Sequence, residues 1–154
     1  MIQEEIKKLV ANEAIQESIS QYVSACHCVP KRDRTVRVVQ DYGGLNALLK
    51  FQSGGLGDIV TILDEMGEST CFSCLHLASG FLQLKIRYDT RRTVGYVRCG
   101  FGLKTIPSAL ASYVRHTLMP VKSKGVRSWV DDIIHPTKTI EGQHPLLRET
   151  LDCL

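Results

Sequence analysis

Apolar residues at Ile2, Ile6, Leu9 and Val10 recur at the three-to-four spacing of an amphipathic helix, which predicts a helix over residues 2–11. Residues 22–29 and 35–39 are rich in strand formers, and the basic turn Lys31-Arg32-Asp33-Arg34 joins them as a candidate hairpin. Ser53-Gly54-Gly55-Leu56-Gly57 reads as a flexible connector. Asp58 then stands at an N-cap position ahead of a short helix with Ile59, Ile62, Leu63 and Met66 as its apolar residues. Residues 71–77 are apolar enough to predict a buried strand. Pro107 is placed to open a helix with Leu110, Val114 and Leu118 on one face, and Pro120 to close it. Two short strands flank Asp131-Asp132, and a last helix is expected from about Pro145 with Leu147, Leu151 and Leu154 as its stripe. Helices mixed with antiparallel strand pairs place the chain in the α+β class.

Composition narrows this little. A chain of 154 residues is one domain or part of one, long enough to bury roughly 70 % of its unfolded surface. The 44 % hydrophobic and 23 % charged content is ordinary for a soluble protein. No apolar run approaches the length of a membrane span, and Met1 leads into an amphipathic stretch rather than a signal peptide. The expectation is an intracellular protein, in cytoplasm or nucleus, with no membrane partner. There is no internal repeat and no low-complexity tail. The net charge of +3 is mild, but Lys31, Arg32, Arg34 and Arg37 cluster in one segment and Arg87, Arg91, Arg92 and Arg98 in another. Such clusters neutralise phosphates or form a solvated face, and both readings stand.

Two sets of residues offer metal chemistry. The first is Cys26, His27 and Cys28 with Cys71-x-x-Cys74 and His76. Its spacing is loose and a second Cys-x-x-Cys is missing, which argues against a structural zinc. With no secretory signal, disulfides are not expected either. The second set is Asp131 and Asp132, side by side in Ser128-Trp129-Val130-Asp131-Asp132-Ile133-Ile134. Flanking strands fix such a turn, so both carboxylates can face a hard divalent cation, which takes oxygen ligands. Asp also serves as a plain turn former, and the dipeptide alone leaves that reading open.

The order of motifs resembles the reverse transcriptase domain of a retroelement, most closely that of gypsy-type LTR retrotransposons. Ile15-Gln16-Glu17-Ser18 is similar to the segment ahead of the fingers, and Lys31-Arg32-Asp33 with Arg37 looks like the fingers loop. Asp41-Tyr42-Gly43-Gly44-Leu45-Asn46 resembles Asp-Tyr-Arg-x-Leu-Asn. The run from Phe72 to Phe81 resembles the strand that carries the first catalytic Asp. Phe101-Gly102-Leu103-Lys104 with Pro107 matches Phe-Gly-Leu-x-x-x-Pro, and Trp129-Val130-Asp131-Asp132 matches Tyr-x-Asp-Asp. The resemblance covers nearly the whole chain, from Ile2 to Leu154.

It implies a right-hand polymerase piece, with a fingers-like region over 1–70, a palm-like region over 71–154 whose antiparallel sheet packs on helices, and no thumb. It implies two Mg²⁺ (or Mn²⁺) ions held by Asp131 and Asp132 with a third carboxylate, and nucleotidyl transfer by in-line displacement. Lys31 and Arg37 would grip a dNTP triphosphate, Phe81 would lie under the sugar, and Phe101 would line the same pocket. An RNA or DNA primer-template would be the partner.

The departures from the pattern bear on activity. His76 stands where the family has its first catalytic Asp. Gly43 replaces the Arg of the Asp-Tyr-Arg motif, and Arg34 replaces a turn glycine. The stretch between Arg92-Thr93-Val94 and Phe101 is shorter than the family pattern, and thumb, connection and RNase H regions are expected to be absent after Leu154. The expectation is a degenerate domain that keeps the fold, binds Mg²⁺, nucleotide and primer-template weakly, and serves as a nucleic-acid or protein binding module. The alternative is a segment of a working RNA-directed DNA polymerase polyprotein. A third reading builds a new metal site from His76 with Asp131 and Asp132.

Overall fold

The computed structural model describes residues 2–17, 23–31, 35–50, 56–85 and 98–154. These form two compact units that alternate along the chain. One comprises Met1–Phe51 and Phe81–Ile106, the other Gln52–Gly80 and Pro107–Leu154.

In the first unit, helix α1 (Ile2–Ala11) carries Glu4 and Glu5 in its first turn and Lys8 in its last, the charge order that complements the helix dipole. Strands β1 (Cys26–Pro30) and β2 (Val36–Gln40) pair antiparallel from Cys26↔Gln40 to Pro30↔Val36, the expected hairpin. The Lys31 backbone N–H donates to the Thr35 carbonyl at 2.8 Å and closes the turn, while Arg32, Asp33 and Arg34 lie outside the described residues. Helix α2 (Gly43–Leu48) follows. It starts where the Asp41 carboxylate accepts the Gly43 N–H at 2.8 Å, a local bond that favours a turn. Among the described residues, Ala14 and Ile106 are the buried apolar residues of this unit.

The second unit starts with α3 (Ile59–Glu65), capped as expected by Asp58, whose carboxylate accepts the Val60 N–H at 3.1 Å. Of its apolar residues, Met66 is buried while Ile59 and Leu63 stay exposed. Strand β3 (Cys71–His76) pairs antiparallel with β5 (Asp132–Thr137), which pairs on its other side with β4 (Arg127–Trp129). Among the described residues β5 is the central strand. The turn of helix α4 (Gly80–Gln83) follows β3, α5 (Ile106–Thr117) and the short α6 (Met119–Lys122) precede β4, and α7 (Ile140–Cys153) ends the chain. Leu110, Val114 and Leu118 are buried with Val121, Val126, Ile133 and Leu146, so the predicted face of α5 is the face that packs.

Three expectations are corrected. Strand β3 is not buried: its residues alternate, with Phe72, Cys74 and His76 exposed, because it is an outer strand packed on one side only. Pro120 does not end the helical path but sits in the first turn of α6, where its missing N–H costs nothing. Helix α7 begins five residues before Pro145, capped by the Thr139 hydroxyl accepting the Gly142 N–H at 3.3 Å. Its buried residues are Gln143, Leu146 and Thr150, whereas Leu151 and Leu154 are more than half exposed. No helix among the described residues is long and apolar enough to cross a membrane. The connector at 53–55 and the segment holding Arg87, Arg91 and Arg92 lie outside the described residues, and with them the shortened stretch after Val94.

Candidate metal and nucleotide sites

The β4–β5 hairpin places both carboxylates of the Asp pair. Ser128↔Ile133 and Trp129↔Asp132 are its last register pairs, leaving Val130 and Asp131 in the turn. Val130 has φ 55°, in the left-handed region that a β-branched side chain resists. The Asp131 carbonyl accepts the Leu77 N–H at 2.8 Å, which ties the turn to the end of β3. On the other side, a Cβ built on Gly80 would lie 3.0 Å from Leu110 Cδ2 and 3.5 Å from Asp131 Cβ. A glycine at position 80 therefore lets the chain after β3 pass close against the turn.

Register does the rest. His76 is the partner of Asp132 across β3 and β5, so the two side chains leave the sheet on the same face. His76 Nδ1 lies 3.0 Å from Asp132 Oδ1, and Nε2 lies 3.7 Å from Asp131 Oδ2. The His76 side chain is 63 % exposed, against 33 % for Asp131 and 44 % for Asp132. The hydrogen bond to Asp132, aided by the negative charge of both carboxylates, raises the imidazole above its ordinary value of 6.5. His76, Asp131 and Asp132 thus form one cluster.

The donor set does not fit a pair of Mg²⁺ ions. Mg²⁺ demands oxygen ligands in near-octahedral array. Here two carboxylates are present, and the third side chain brings a nitrogen that already holds one Asp132 oxygen. When protonated, that ring also places positive charge where the cations would need to sit.

A second cluster lies in the first unit. The Arg37 guanidinium carbon sits 4.9 Å from the centre of the Phe101 ring, a cation–π contact. Phe101 meets Phe81 edge-on, with centroids 5.6 Å apart at an interplanar angle of 70°. Three of the four residues assigned to a nucleotide pocket are thereby brought together, while Lys31 sits exposed at the turn end of the hairpin.

Sequence reasoning missed the residue that shapes the loop beside this stack. The Asn46 side chain donates to the Gly102 carbonyl at 2.8 Å and accepts the Lys104 N–H at 3.0 Å. Gly102 has φ 114°, and a Cβ there would meet the Gln40 carbonyl at 2.8 Å, so only glycine fits. The signal available was an Asn closing one motif and a Gly inside the next. Trp129 lines a hollow of about 220 Å³ together with Ile62, Leu118 and Val126.

No family model matches the chain. It is 29 % identical over 148 residues to the retrovirus-related Pol polyprotein from transposon 412 of Drosophila melanogaster, covering 86 % of this chain and 12 % of that protein. It is 28 % identical over 153 residues to the transposon Tf2-3 polyprotein of Schizosaccharomyces pombe, covering 92 % and 11 %. The chain therefore spans about an eighth of the length of these curated relatives. Among solved structures, a foamy viral protease-reverse transcriptase in complex with double-stranded DNA superposes with a TM-score of 0.87 at 23 % identity, over 99 % of this chain and 28 % of that one. The same kind of protein in complex with an RNA/DNA hybrid gives 0.85 at 23 % identity, over 99 % and 22 %.

Proposed function

Taking the chain as a reverse transcriptase domain of an LTR-retrotransposon Pol polyprotein, we propose that it is a degenerate copy that keeps the fingers and palm fold and does not synthesise DNA. It acts by binding nucleic acid or protein. The observation that carries this reading is His76, bonded to Asp132 and facing Asp131. Two-metal nucleotidyl transfer depends on negative ligands that clamp both ions. An imidazole supplies no negative charge at that place and competes with the ions for an Asp132 oxygen.

In this reading residues 1–70 take the fingers role and 71–154 the palm role, a division by role that cuts across the two compact units. Lys31, Arg37, Phe81 and Phe101 are remnants of a dNTP site, and Asp131 and Asp132 hold Mg²⁺ or Mn²⁺ weakly. The complexes of the foamy viral proteins with double-stranded DNA and with RNA/DNA hybrid support a nucleic-acid partner. We place the protein in the cytoplasm or nucleus. A second reading, a segment of a working polymerase that acts within a longer chain, is favoured by the small share of each relative that the chain spans. His76 opposes it.

Primer extension separates the two, run on the wild type and on His76→Asp with Mg²⁺ and with Mn²⁺. The degenerate reading expects no extension by the wild type, and robust extension would sink it. A gel-shift series on RNA and DNA duplexes at rising salt tests binding. Affinity that falls with salt supports phosphate contacts, and absence of binding turns the search to a protein partner.

A further inference from the structure

We infer that His76, Asp131 and Asp132 form a single-ion site that has changed its metal, binding a transition-metal divalent cation of the Co²⁺ or Zn²⁺ class in preference to Mg²⁺. The inference rests on the reading that position 76 no longer supplies a carboxylate, and it goes beyond loss of activity to a changed ligand.

Geometry comes first. One ligand atom from each of the three side chains can be taken so that all lie within 4.8 Å of one another. The 3.0 Å approach to Asp132 uses the ring's Nδ1 and the 3.7 Å approach to Asp131 its Nε2, and an ion takes one of the two. Donors at about 2.1 Å from a common ion stand roughly 3.0 to 3.4 Å apart at octahedral or tetrahedral angles, and up to about 4.2 Å when opposed. With 4.8 Å as the outer limit the donors stand wider than around a bound ion, and side-chain rotation about the fixed backbone draws them in. The partners are fixed by backbone: His76 and Asp132 by strand register, Asp131 by the bond from Leu77 N–H to its carbonyl. With the cluster partly exposed, water can complete the coordination.

Chemistry then selects the ion. A neutral imidazole nitrogen suits zinc, cobalt, nickel and copper and adds little for Mg²⁺. Three protein ligands of mixed nitrogen and oxygen type with open positions for water are a usual set for zinc outside structural sites. Replacing one carboxylate by imidazole also removes a negative charge, which weakens the pull on a second ion. Both effects run the same way: one ion, of borderline softness.

Co²⁺ is the probe, because its visible spectrum reports nitrogen and oxygen ligation and separates it from thiolate ligation. The whole chain is titrated with Co²⁺, followed by visible absorption and calorimetry, with Mg²⁺ as competitor. The expected result is one Co²⁺ per chain without a thiolate charge-transfer band, little displaced by millimolar Mg²⁺. Affinity should fall by about a hundredfold in His76→Ala, at least what losing a supporting partner of a metal ligand costs. Asp131→Asn should lose binding as well, and His76→Asp should regain competition by Mg²⁺. His76 is exposed, so its variants keep the fold, and far-ultraviolet dichroism confirms this. Binding that survives His76→Ala, binding that shows a thiolate band lost in Cys74→Ser, or equal competition by Mg²⁺ each overturns the inference. Primer extension by the wild type would overturn the function reading alone, since metal preference is read here without any activity.

Discussion

His76 and Asp132 are register partners across β3 and β5, and their side chains complete the pairing with Nδ1 3.0 Å from Oδ1. The bond holds the ring's proton, so its titration midpoint lies above the ordinary value of 6.5. A ring-proton NMR titration should show this in the wild type and a return toward the ordinary value in Asp132→Asn. The sign for stability follows. The folded state binds this proton more tightly than the unfolded chain, so the stabilisation is complete below about pH 6.5 and is lost as pH rises through the raised folded value. An unshifted wild-type midpoint would contradict the geometry.

The other central histidine behaves oppositely. His135 is fully buried, and desolvation pushes its imidazole below the ordinary 6.5, only partly offset by a backbone group of Ser73. It is neutral when folded, so its contribution is complete above about pH 6.5 and is lost as pH falls toward the lowered folded value. The two histidines alone would place maximal stability near the ordinary histidine value. Urea unfolding from pH 5 to 8 checks this, and His135→Leu should flatten the acid limb.

Thr150 anchors that buried ring. Its hydroxyl donates to the Leu146 carbonyl at 2.8 Å, so its oxygen is left to accept from His135 Nε2, 3.1 Å away. This assigns the proton of the neutral ring to Nε2. Thr150→Val keeps the shape and orphans that N–H, at a cost of about 1–3 kcal/mol, measurable as a lower urea midpoint with an unchanged slope.

Val130 holds a left-handed backbone in the turn that carries Asp131. An L-residue there costs about 1–2 kcal/mol, and glycine adds back about 0.5–1 kcal/mol in chain entropy. Val130→Gly should therefore stabilise the protein by up to about 1 kcal/mol. A clear destabilisation would mean that the Val130 side chain packs better than its half-buried position suggests.

Gly80 and Leu110 are coupled by contact. Gly80→Ala places its Cβ 3.0 Å from Leu110 Cδ2, tighter than nine in ten real Cβ contacts, so Leu110 must shift by a few tenths of an ångström, and overpacking of this kind costs about 1–3 kcal/mol. Leu110→Ala alone leaves a cavity at a 1 % exposed site and should cost about 2–5 kcal/mol. The double variant should lose less than the sum of the two singles, because the added methyl enters the vacated space. Strict additivity would show that the strain is relieved elsewhere.

Elements whose signals are local were legible in the sequence. The Asp58 cap, the Pro107 start, the α5 face and the hairpin around Asp131 depend on residues close in the chain. The face of α7 was not legible, because it buries Gln143 and Thr150, polar residues that hydrophobic spacing rejects. Each is bonded to His135, Thr150 to its ring and Gln143 to its carbonyl at 3.1 Å, a tertiary partnership that no pattern within the helix announces. The exposure of β3 was hidden for the converse reason: Phe72 and Cys74 are apolar residues on the open side of an outer strand. For the candidate site, motif order singled out His76, Asp131 and Asp132, and register set them side by side. The Asn46 bonds across to Gly102 and Lys104 leave no local signal, since their partners lie more than fifty positions away.

The exposure of His76 has an evolutionary consequence. Histidine and aspartate codons can differ by a single base, and a side chain standing mostly in solvent at the end of a strand supports no core. Folding therefore constrains this position through its surface bond to Asp132 and not through core packing. The fold can persist with either side chain at this position for as long as the buried residues are kept, and one point mutation is enough to exchange the ring for a carboxylate.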